Sequence, residues 1–317
     1  MSNINAGLSL IEQYCSQGTK IVEKFIDEVN SEPSITTIMH YTNDIGFSGI
    51  LETQTLRFTD VFDVNDPSEL KHGFSHAIKI LNELSSNSHP LIKQFVQRFE
   101  TLYKNQLDRT AHYFICSFSK VTDDLGQWRS YADDGKGYAL VFDGSILEDY
   151  FVNHAPNAKD HNSTFSMHYD DEEISQIYND LISGMFHLIS FPLNNKLSED
   201  QFHIYLSTLS KELSARLIHI ALFFKHEAYI HESEFRFLQI YRGDIPAPEL
   251  KLRPRRYQMV EYREFNWSPI KETALKKIIV GPAAEPKKSI EFAKHYLDKA
   301  GIKNVEIELS KIPYRSF

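Results

Sequence analysis

The sequence has little cysteine and no long apolar run. Only Cys15 and Cys116 occur among its 317 residues, and they lie far apart. This count excludes a disulfide framework and a cysteine-rich zinc site, and it is typical of the reducing cytoplasm. No apolar run approaches the ~20 residues of a membrane-spanning helix, and the first residues lack the charged and apolar regions of a signal peptide. We therefore expect a soluble, cytoplasmic protein with no membrane partner.

The motifs of several common enzyme classes are missing as well. No GxGxxG follows a strand and no GxxxxGK[ST] occurs, so neither a Rossmann dinucleotide fold nor a phosphate-binding loop is supported. HExxH, paired CxxC and GxSxG are also absent, which argues against metalloproteases, zinc fingers and serine hydrolases with a nucleophile elbow. His226 and His231 are five residues apart across a loop and make a poor pair of metal ligands. Any chemistry must therefore come from residues that are scattered along the chain.

The sequence also has fewer positive than negative charges. Lys and Arg number 34 against 43 Asp and Glu, which gives a net charge of −9 and indicates no broad binding to a phosphate backbone. A local basic patch remains, because Arg253, Arg255, Arg256 and Arg263 crowd one region, where they could steer an anionic ligand or a nucleic-acid target. Aromatic residues are plentiful, with 22 Phe and 16 Tyr. Such residues fill a core or line pockets that stack planar ligands.

The spacing of apolar residues predicts an α+β fold. Residues 7–30 have mostly helical spacing, which predicts one or two helices with a break near Gly18. Residues 200–226 carry a strong helical stripe. Further helices are predicted after residue 43, at 67–82, 89–110, 125–131, 171–189 and 287–299, and strands at 35–41, from 56, and at 112–119, 138–142, 232–241, 257–262, 275–280 and 305–309.

The same patterns suggest a simple domain organisation. Residues 1–34 form an N-terminal helical segment, and residues 35–317 form a single α+β domain. Within this domain, residues 144–226 are a mainly helical insertion with a charged loop around 152–163. The sequence has neither an internal repeat nor a long linker.

Glu232 and Glu234 stand two residues apart at the start of the predicted strand 232–241. Residues two apart in a strand project from the same face, and paired carboxylates repel unless a cation or a hydroxyl-rich ligand lies between them. Arg236 follows on the same face and is a candidate ion-pair partner. The pair is therefore either a salt-bridged strand or a catalytic edge. A purely structural ion pair fits Glu232 better than Glu234.

Other clusters accompany this pair, and together they resemble a known family. They are His40-Tyr41-Thr42 at a strand end, Asn65-Asp66-Pro67 at a turn, the strand Ser117-Phe118-Ser119, and Trp128-Arg129-Ser130-Tyr131. In this order, followed by a Glu-x-Glu-aromatic-Arg strand, they resemble the bacterial domain-of-unknown-function family 2971. The resemblance covers about residues 36–281, of which 144–200 are the least similar. The family itself has little assigned biochemistry.

The order of His, Tyr and Glu on successive strands is also similar to the ADP-ribosyltransferase superfamily. This resemblance implies an α+β fold with a split β-sheet core that binds NAD, as substrate, without a Rossmann fold. His40 would then contact the adenosine ribose with support from Thr42, Tyr131 or Tyr138 would stack on nicotinamide, Arg129 would meet the pyrophosphate, Glu234 would be catalytic, and Glu232 would orient the ribose or the acceptor. The implied NAD-binding set also includes Tyr41, Trp128, Ser117 and Ser119.

The sequence leaves three functions open. The first is an NAD-dependent mono-ADP-ribosyltransferase or NAD glycohydrolase, a toxin or phage-defence effector in style, which modifies a protein or nucleic acid and has an antitoxin or defence-system partner. The second is a nucleotide-sensing module of the same fold without turnover. The third is a metal-dependent nuclease in which Asp66, Glu232 and Glu234 hold the ion.

Overall fold

The computed structural model describes residues 2–30, 35–64, 68–86, 90–104, 111–157, 160–242, 247–255 and 257–315. The α-helices of this part of the chain are α1 Ser2–Asn30, α2 Asp44–Thr53, α3 Ser68–Ser85, α4 Pro90–Lys104, α5 Leu125–Tyr131, α6 Gly144–Asn153, α7 Asp171–Ile189, α8 Phe191–Asn195, α9 Glu199–Ala221, α10 Lys271–Ala274 and α11 Pro286–Ala300. None of these helices is long and apolar enough to cross a membrane.

The strands form one mixed, open sheet, so the α+β class is confirmed. They are β1 Thr37–Thr42, β2 Thr55–Asp60, β3 His112–Ser119, β4 Tyr138–Asp143, β5 Asp160–Ser166, β6 Glu234–Tyr241, β7 Lys251–Arg255, β8 Gln258–Asn266, β9 Leu275–Val280 and β10 Glu306–Leu309. The order is β10-β9-β4-β1-β3-β2-β8-β7, and β6 pairs with both β3 and β5. Only β9 and β10 run parallel among the described pairs. Because α11 connects them, residues 275–309 form a β-α-β unit.

The chain divides into two compact units, each built from three segments. The helical unit comprises Met1–Glu32, Asp66–Thr110 and His168–Glu227, and the sheet unit comprises Pro33–Asn65, Ala111–Met167 and Ala228–Phe317. The N-terminal helical segment of the sequence analysis falls in the helical unit up to residue 32. The expected helical insertion is shared, since residues 144–167 lie in the sheet unit and residues 168–226 in the helical unit.

In the helical unit, α1 is continuous, so the break expected near Gly18 is wrong. The Arg216 side chain of α9 lies directly over Gly18, where a Cβ atom would come within 2.8 Å of its Nε. The guanidinium group donates to the Cys15 carbonyl oxygen at 3.0 Å and to a Glu212 carboxylate oxygen at 2.8 Å. Gly18 therefore makes room for a cross-helix contact, and the packing outweighs its low helix propensity.

In the sheet unit, β3 is central, and one of its edges divides. β6 pairs with β3 along its whole length, from His112 to Ser119. The other edge of β3 meets β2 at Phe114 and Ile115 and meets β1 at Ser119. We call the stretch of this edge between Ile115 and Ser119 the β3 fork. The strands β1, β4, β9 and β10 continue from one side of the fork, and β2, β8 and β7 continue from the other.

Two short elements differ from the sequence-based expectation. The loop expected around residues 152–163 contains the end of α6 and the start of β5, which pairs with β6 through seven residues. The strand expected from residue 232 begins only at Glu234, because residues 227–232 form a 3-10 helix and Ser233 has a left-handed φ of 45°. Glu232 and Glu234 therefore do not share one face of a strand.

Candidate functional site

The antiparallel pairing of β3 with β6 places four polar residues on one face of the sheet. Ser117 lies opposite Arg236, and Ser119 lies opposite Glu234. Residues that face each other in an antiparallel pair project to the same side. The adjacent pairs Cys116–Phe237 and Phe118–Phe235 project to the other side, where they join the main apolar core. The sequence thus alternates polar and apolar residues on both strands, and the polar set faces away from this core.

The Glu234 carboxylate is buried and strongly hydrogen-bonded. Its Oε1 accepts from the Ser117 hydroxyl at 2.6 Å, from Arg236 Nε at 2.9 Å and from Arg236 Nη2 at 2.7 Å. Glu234 and Arg236 are 4% and 2% exposed, whereas Ser117 is exposed. Arg236 therefore forms a buried ion pair with Glu234, whereas the sequence favoured Glu232 for a structural pair. Because two nitrogen atoms of Arg236 donate to one carboxylate oxygen, this buried ion pair fixes both side chains in one orientation.

His40 reaches the same serine from β1. Its Nδ1 lies 3.1 Å from the Ser117 carbonyl oxygen, at the β3 fork. A carbonyl oxygen only accepts, so Nδ1 carries the proton and Nε2 has the lone pair when the ring is neutral. Burial lowers the pKa of His40 below 6.5, and the bond to Ser117 opposes this only in part. Through Ser117, the His40 ring and the Glu234 carboxylate are thus linked by two hydrogen bonds.

The lowered pKa of His40 makes stability depend on pH. The unfolded state, with a His pKa of 6.5, binds the proton before the folded state does. The stability contributed by neutral His40 is therefore complete above about pH 6.5 and is lost as the pH falls from there to the folded-state pKa. We expect His40→Gln, which keeps a donor for Ser117, to flatten the curve of unfolding free energy against pH below 6.5. Equal slopes for the variant and the wild-type protein would refute this assignment.

Glu232 belongs to a second, more exposed cluster. The Tyr131 hydroxyl donates to Glu232 Oε1 at 2.8 Å, and the Ser119 hydroxyl and Gln127 Nε2 donate to the Glu232 carbonyl oxygen at 2.9 and 3.3 Å. The Lys120 amide also donates to the Ser233 carbonyl oxygen at 2.9 Å. These bonds hold the turn that precedes β6 against the end of β3 and against α5. Two carboxylates, one buried and one accessible, are thereby fixed at neighbouring positions.

Of the aromatic candidates, Tyr131 is the one with an accessible ring. Tyr131 is 38% exposed, whereas Trp128 and Tyr138 are 0% and 3% exposed. Trp128 donates through Nε1 to Asp123 at 2.8 Å and packs edge-on against Tyr41. Tyr138 stacks on Phe47 with 4.2 Å between ring centroids. The structure therefore places Trp128, Tyr41 and Tyr138 in the apolar interior.

The remaining candidates lie around α2 and α5. Thr42 ends β1, and Asn43 caps α2 by accepting from the Gly46 amide at 2.8 Å. Arg129 is exposed on α5, and its Nε lies 3.8 Å from an Asp134 carboxylate oxygen. Asn65, Asp66 and Pro67 lie outside the described residues. The roles assigned to these residues stay predictions.

The nuclease hypothesis places a metal on Asp66, Glu232 and Glu234. In the described part of the chain, ligand atoms converge in two other groups, Asp60 with His112 and Glu261 in the sheet unit, and His72 with His76 and Asp171 in the helical unit. Neither group contains Glu232 or Glu234. The second group was not predicted from the sequence, although His72 and His76 are four residues apart, a helical spacing.

Comparison with known proteins gives a partial match to one family model and no activity. No curated protein and no solved structure matches the chain. Residues 127–237 match the model of a family described as Protein of unknown function (DUF2971). The match runs from Gln127 through the Tyr131, Glu232 and Glu234 positions to Phe237, and is shorter than the expected span of about 36–281. It supports the resemblance of this chain to domain-of-unknown-function family 2971.

Proposed function

We propose that the protein is an NAD-dependent ADP-ribosyltransferase-like enzyme with Glu234 as its central catalytic group. The observation that carries this proposal is the 2.6 Å hydrogen bond from the exposed Ser117 hydroxyl to the buried Glu234 carboxylate. It brings a carboxylate that Arg236 holds in a fixed orientation to the edge of an accessible surface. The division of the sheet at the β3 fork fits the split core that the resemblance implies.

The proposed reaction needs a fixed negative charge. When the bond between nicotinamide and ribose C1′ breaks, its electron pair passes to the pyridinium nitrogen, and positive charge develops on the ribose as in glycoside cleavage. A carboxylate that accepts from a ribose hydroxyl stabilises this charge more in the transition state than in the ground state. The acceptor's nucleophile then bonds to C1′ and gives up its proton. Water in place of the acceptor would give NAD glycohydrolase activity.

The surrounding residues take separate roles in this proposal. Tyr131 supplies the accessible ring for nicotinamide, and its hydroxyl orients Glu232 toward the ribose or the acceptor. Arg129 is exposed and meets the pyrophosphate, for which a planar guanidinium has the matching donors. His40 contacts the adenosine ribose, and its hydrogen bond to the Ser117 carbonyl oxygen fixes Ser117. Trp128 and Tyr41 support α5 and β1 from the interior rather than contacting NAD.

The test measures nicotinamide release from NAD by the purified full chain, with and without EDTA. The NAD carries a label on its adenosine half, so that transfer to an acceptor is detected. Release that persists in EDTA is the expected result, and labelled protein or nucleic acid distinguishes transfer from hydrolysis. NAD binding without release would favour the sensor hypothesis and refute the enzyme. If the protein binds no NAD and its activity requires a divalent metal, the ADP-ribosyltransferase proposal is refuted in favour of the nuclease hypothesis.

Replacing Tyr131 tests the stacking role separately. Loss of an aromatic ring that stacks on a planar base costs about 1–3 kcal/mol, so Tyr131→Ala should raise the KM for NAD about 10-fold or more. Tyr131→Phe keeps the ring and should change KM much less, although it removes the bond to Glu232. Tyr257→Ala is the matched control, because Tyr257 is fully exposed in the β7–β8 turn. An equal KM for Tyr131→Ala and Tyr257→Ala would refute stacking by Tyr131.

A further inference from the structure

Two histidines in the helical unit project from one face of α3. His72 and His76 are four residues apart, a spacing that places side chains one above the other on a helix. Asp171 lies in the first turn of α7 and faces them. One ligand atom from each of the three residues lies within 4.8 Å of the others. The two histidines are half-buried and Asp171 is exposed, so a small solute has access to all three.

Both histidines of this cluster approach the same carboxylate oxygen. His72 Nε2 lies 2.9 Å and His76 Nε2 lies 3.6 Å from Asp171 Oδ1. A tetrahedral zinc ion with bonds of about 2.0–2.1 Å separates two of its ligand atoms by about 3.4 Å. The longer distance already fits such an ion. The shorter one is a hydrogen bond that would open by about half an ångström as the ion enters.

The orientation of the His76 ring supplies the strongest argument. Its Nδ1 lies 3.0 Å from the Ser175 hydroxyl oxygen, and the Ser175 hydroxyl donates its proton to the Asp171 carbonyl oxygen at 2.7 Å. Ser175 therefore accepts from His76, so the proton of the neutral ring is on Nδ1 and the lone pair is on Nε2. That lone pair faces the Asp171 carboxylate, and two electron-rich atoms at this distance are stabilised by a cation between them.

We propose that His72, His76 and Asp171 bind a divalent transition-metal ion, with Zn²⁺ as the best match. Two imidazoles and one carboxylate suit zinc rather than magnesium or calcium, which prefer sites made only of oxygen. Ser175 then acts as the outer partner that fixes the ring of a metal-binding histidine. His226 lies next to this cluster, with its ring centroid 5.1 Å from that of His72.

The packing of α3 keeps the cluster in place. Between the two histidines, Gly73 lies so close to α9 that a Cβ atom would approach the Ala221 Cβ to 2.7 Å and the Ala221 Cα to 3.1 Å. Tyr178 of α7 lies 3.4 Å from the same position and donates to the Leu217 carbonyl oxygen of α9. The helices that carry the three ligands are thus fixed against α9, which preserves their convergence.

The test is titration of the tag-free full chain, freed of metal with EDTA and dialysed, with Zn²⁺ by calorimetry and with Co²⁺ by visible absorption. One ion per chain is expected, with the intense Co²⁺ bands of a four-coordinate site. Loss of an outer partner typically costs 10–100-fold in metal affinity, so Ser175→Ala should weaken Zn²⁺ binding by about that factor and His76→Ala by more. His187→Ala is the control, because His187 is exposed in the last turn of α7.

Thermal unfolding in EDTA keeps the comparison interpretable. Each variant should melt close to the metal-free wild-type protein, because the site holds no ion under this condition. Added Zn²⁺ should then raise the melting temperature of the wild-type protein and His187→Ala but not that of His76→Ala. Wild-type protein that binds no ion, or a His76→Ala variant that binds Zn²⁺ as tightly as His187→Ala, would overturn the proposal.

Discussion

Glu234→Gln is expected to destabilise the protein by about 3–5 kcal/mol, the usual cost of removing one partner from a buried ion pair. The substitution keeps the shape of the side chain and an oxygen that can accept from Ser117. It removes the negative charge of the carboxylate that accepts two hydrogen bonds from Arg236. The positive charge of Arg236, which is 2% exposed, then stays buried without this counter-charge. Urea unfolding measures the loss directly.

Two further variants show whether the lost charge is the cause. Replacing the whole pair in Glu234→Gln/Arg236→Met removes the buried cation, and well-packed apolar replacements of a buried pair are often neutral or stabilising. The double variant should therefore regain most of the lost stability. Glu264→Gln breaks the more exposed pair with Lys251, whose atoms lie 2.6 Å apart, and should cost at most about 1 kcal/mol. A Glu234→Gln variant as mild as Glu264→Gln would contradict this account of the pair.

Gly137→Ala should strongly destabilise the sheet unit. A Cβ atom at residue 137 would lie 2.2 Å from the Thr42 carbonyl oxygen and 3.1 Å from both the Ala132 oxygen and the Asn43 Cα. These are backbone atoms of β1, the chain after α5 and the α2 cap, so the main chain itself must move. Such overpacking costs about 3 kcal/mol, and it should displace the residues that link β1 to α2.

Gly49→Ala is the matched comparison for this prediction. Gly49 lies in α2 with nothing within 4 Å of its Cβ position. Alanine in a helix interior is better than glycine by about 0.5–1 kcal/mol, so this variant should be more stable than the wild-type protein. In urea unfolding, the midpoint of Gly137→Ala should lie below that of the wild-type protein and the midpoint of Gly49→Ala above it. Similar midpoints for both would contradict the close approach at Gly137.

Much of the fold follows from local patterns. The strand at 112–119 and the helix at 171–189 have the predicted bounds, because apolar spacing and the Asp170 cap act on neighbouring residues. β5 was missed because its sequence, DHNSTFS, is mostly polar and is extended through its pairing with β6. The left-handed Ser233 was missed for a similar reason, since bonds from Lys120 and Ser119 across the sheet hold this turn.

The candidate site shows the same limit. The sequence identified Glu232, Glu234 and Arg236, but it could not decide which carboxylate the arginine would meet, because that depends on where β6 begins. The sequence also shows His72 and His76 at helical spacing. Their partner Asp171, however, is about a hundred residues away in the chain. Contacts between distant segments, which a single sequence does not reveal, determine both clusters.

The most direct test of the central claim compares nicotinamide release from NAD by the wild-type protein and by Glu234→Gln/Arg236→Met, whose stability is expected to be similar. If Glu234 stabilises the charge that develops on the ribose, the double variant should lose about 100-fold or more in kcat, as when a preorganised catalytic group is removed. Urea unfolding on the same preparations verifies that both are folded. Release at an equal rate by the two folded proteins would contradict the proposal that Glu234 is catalytic.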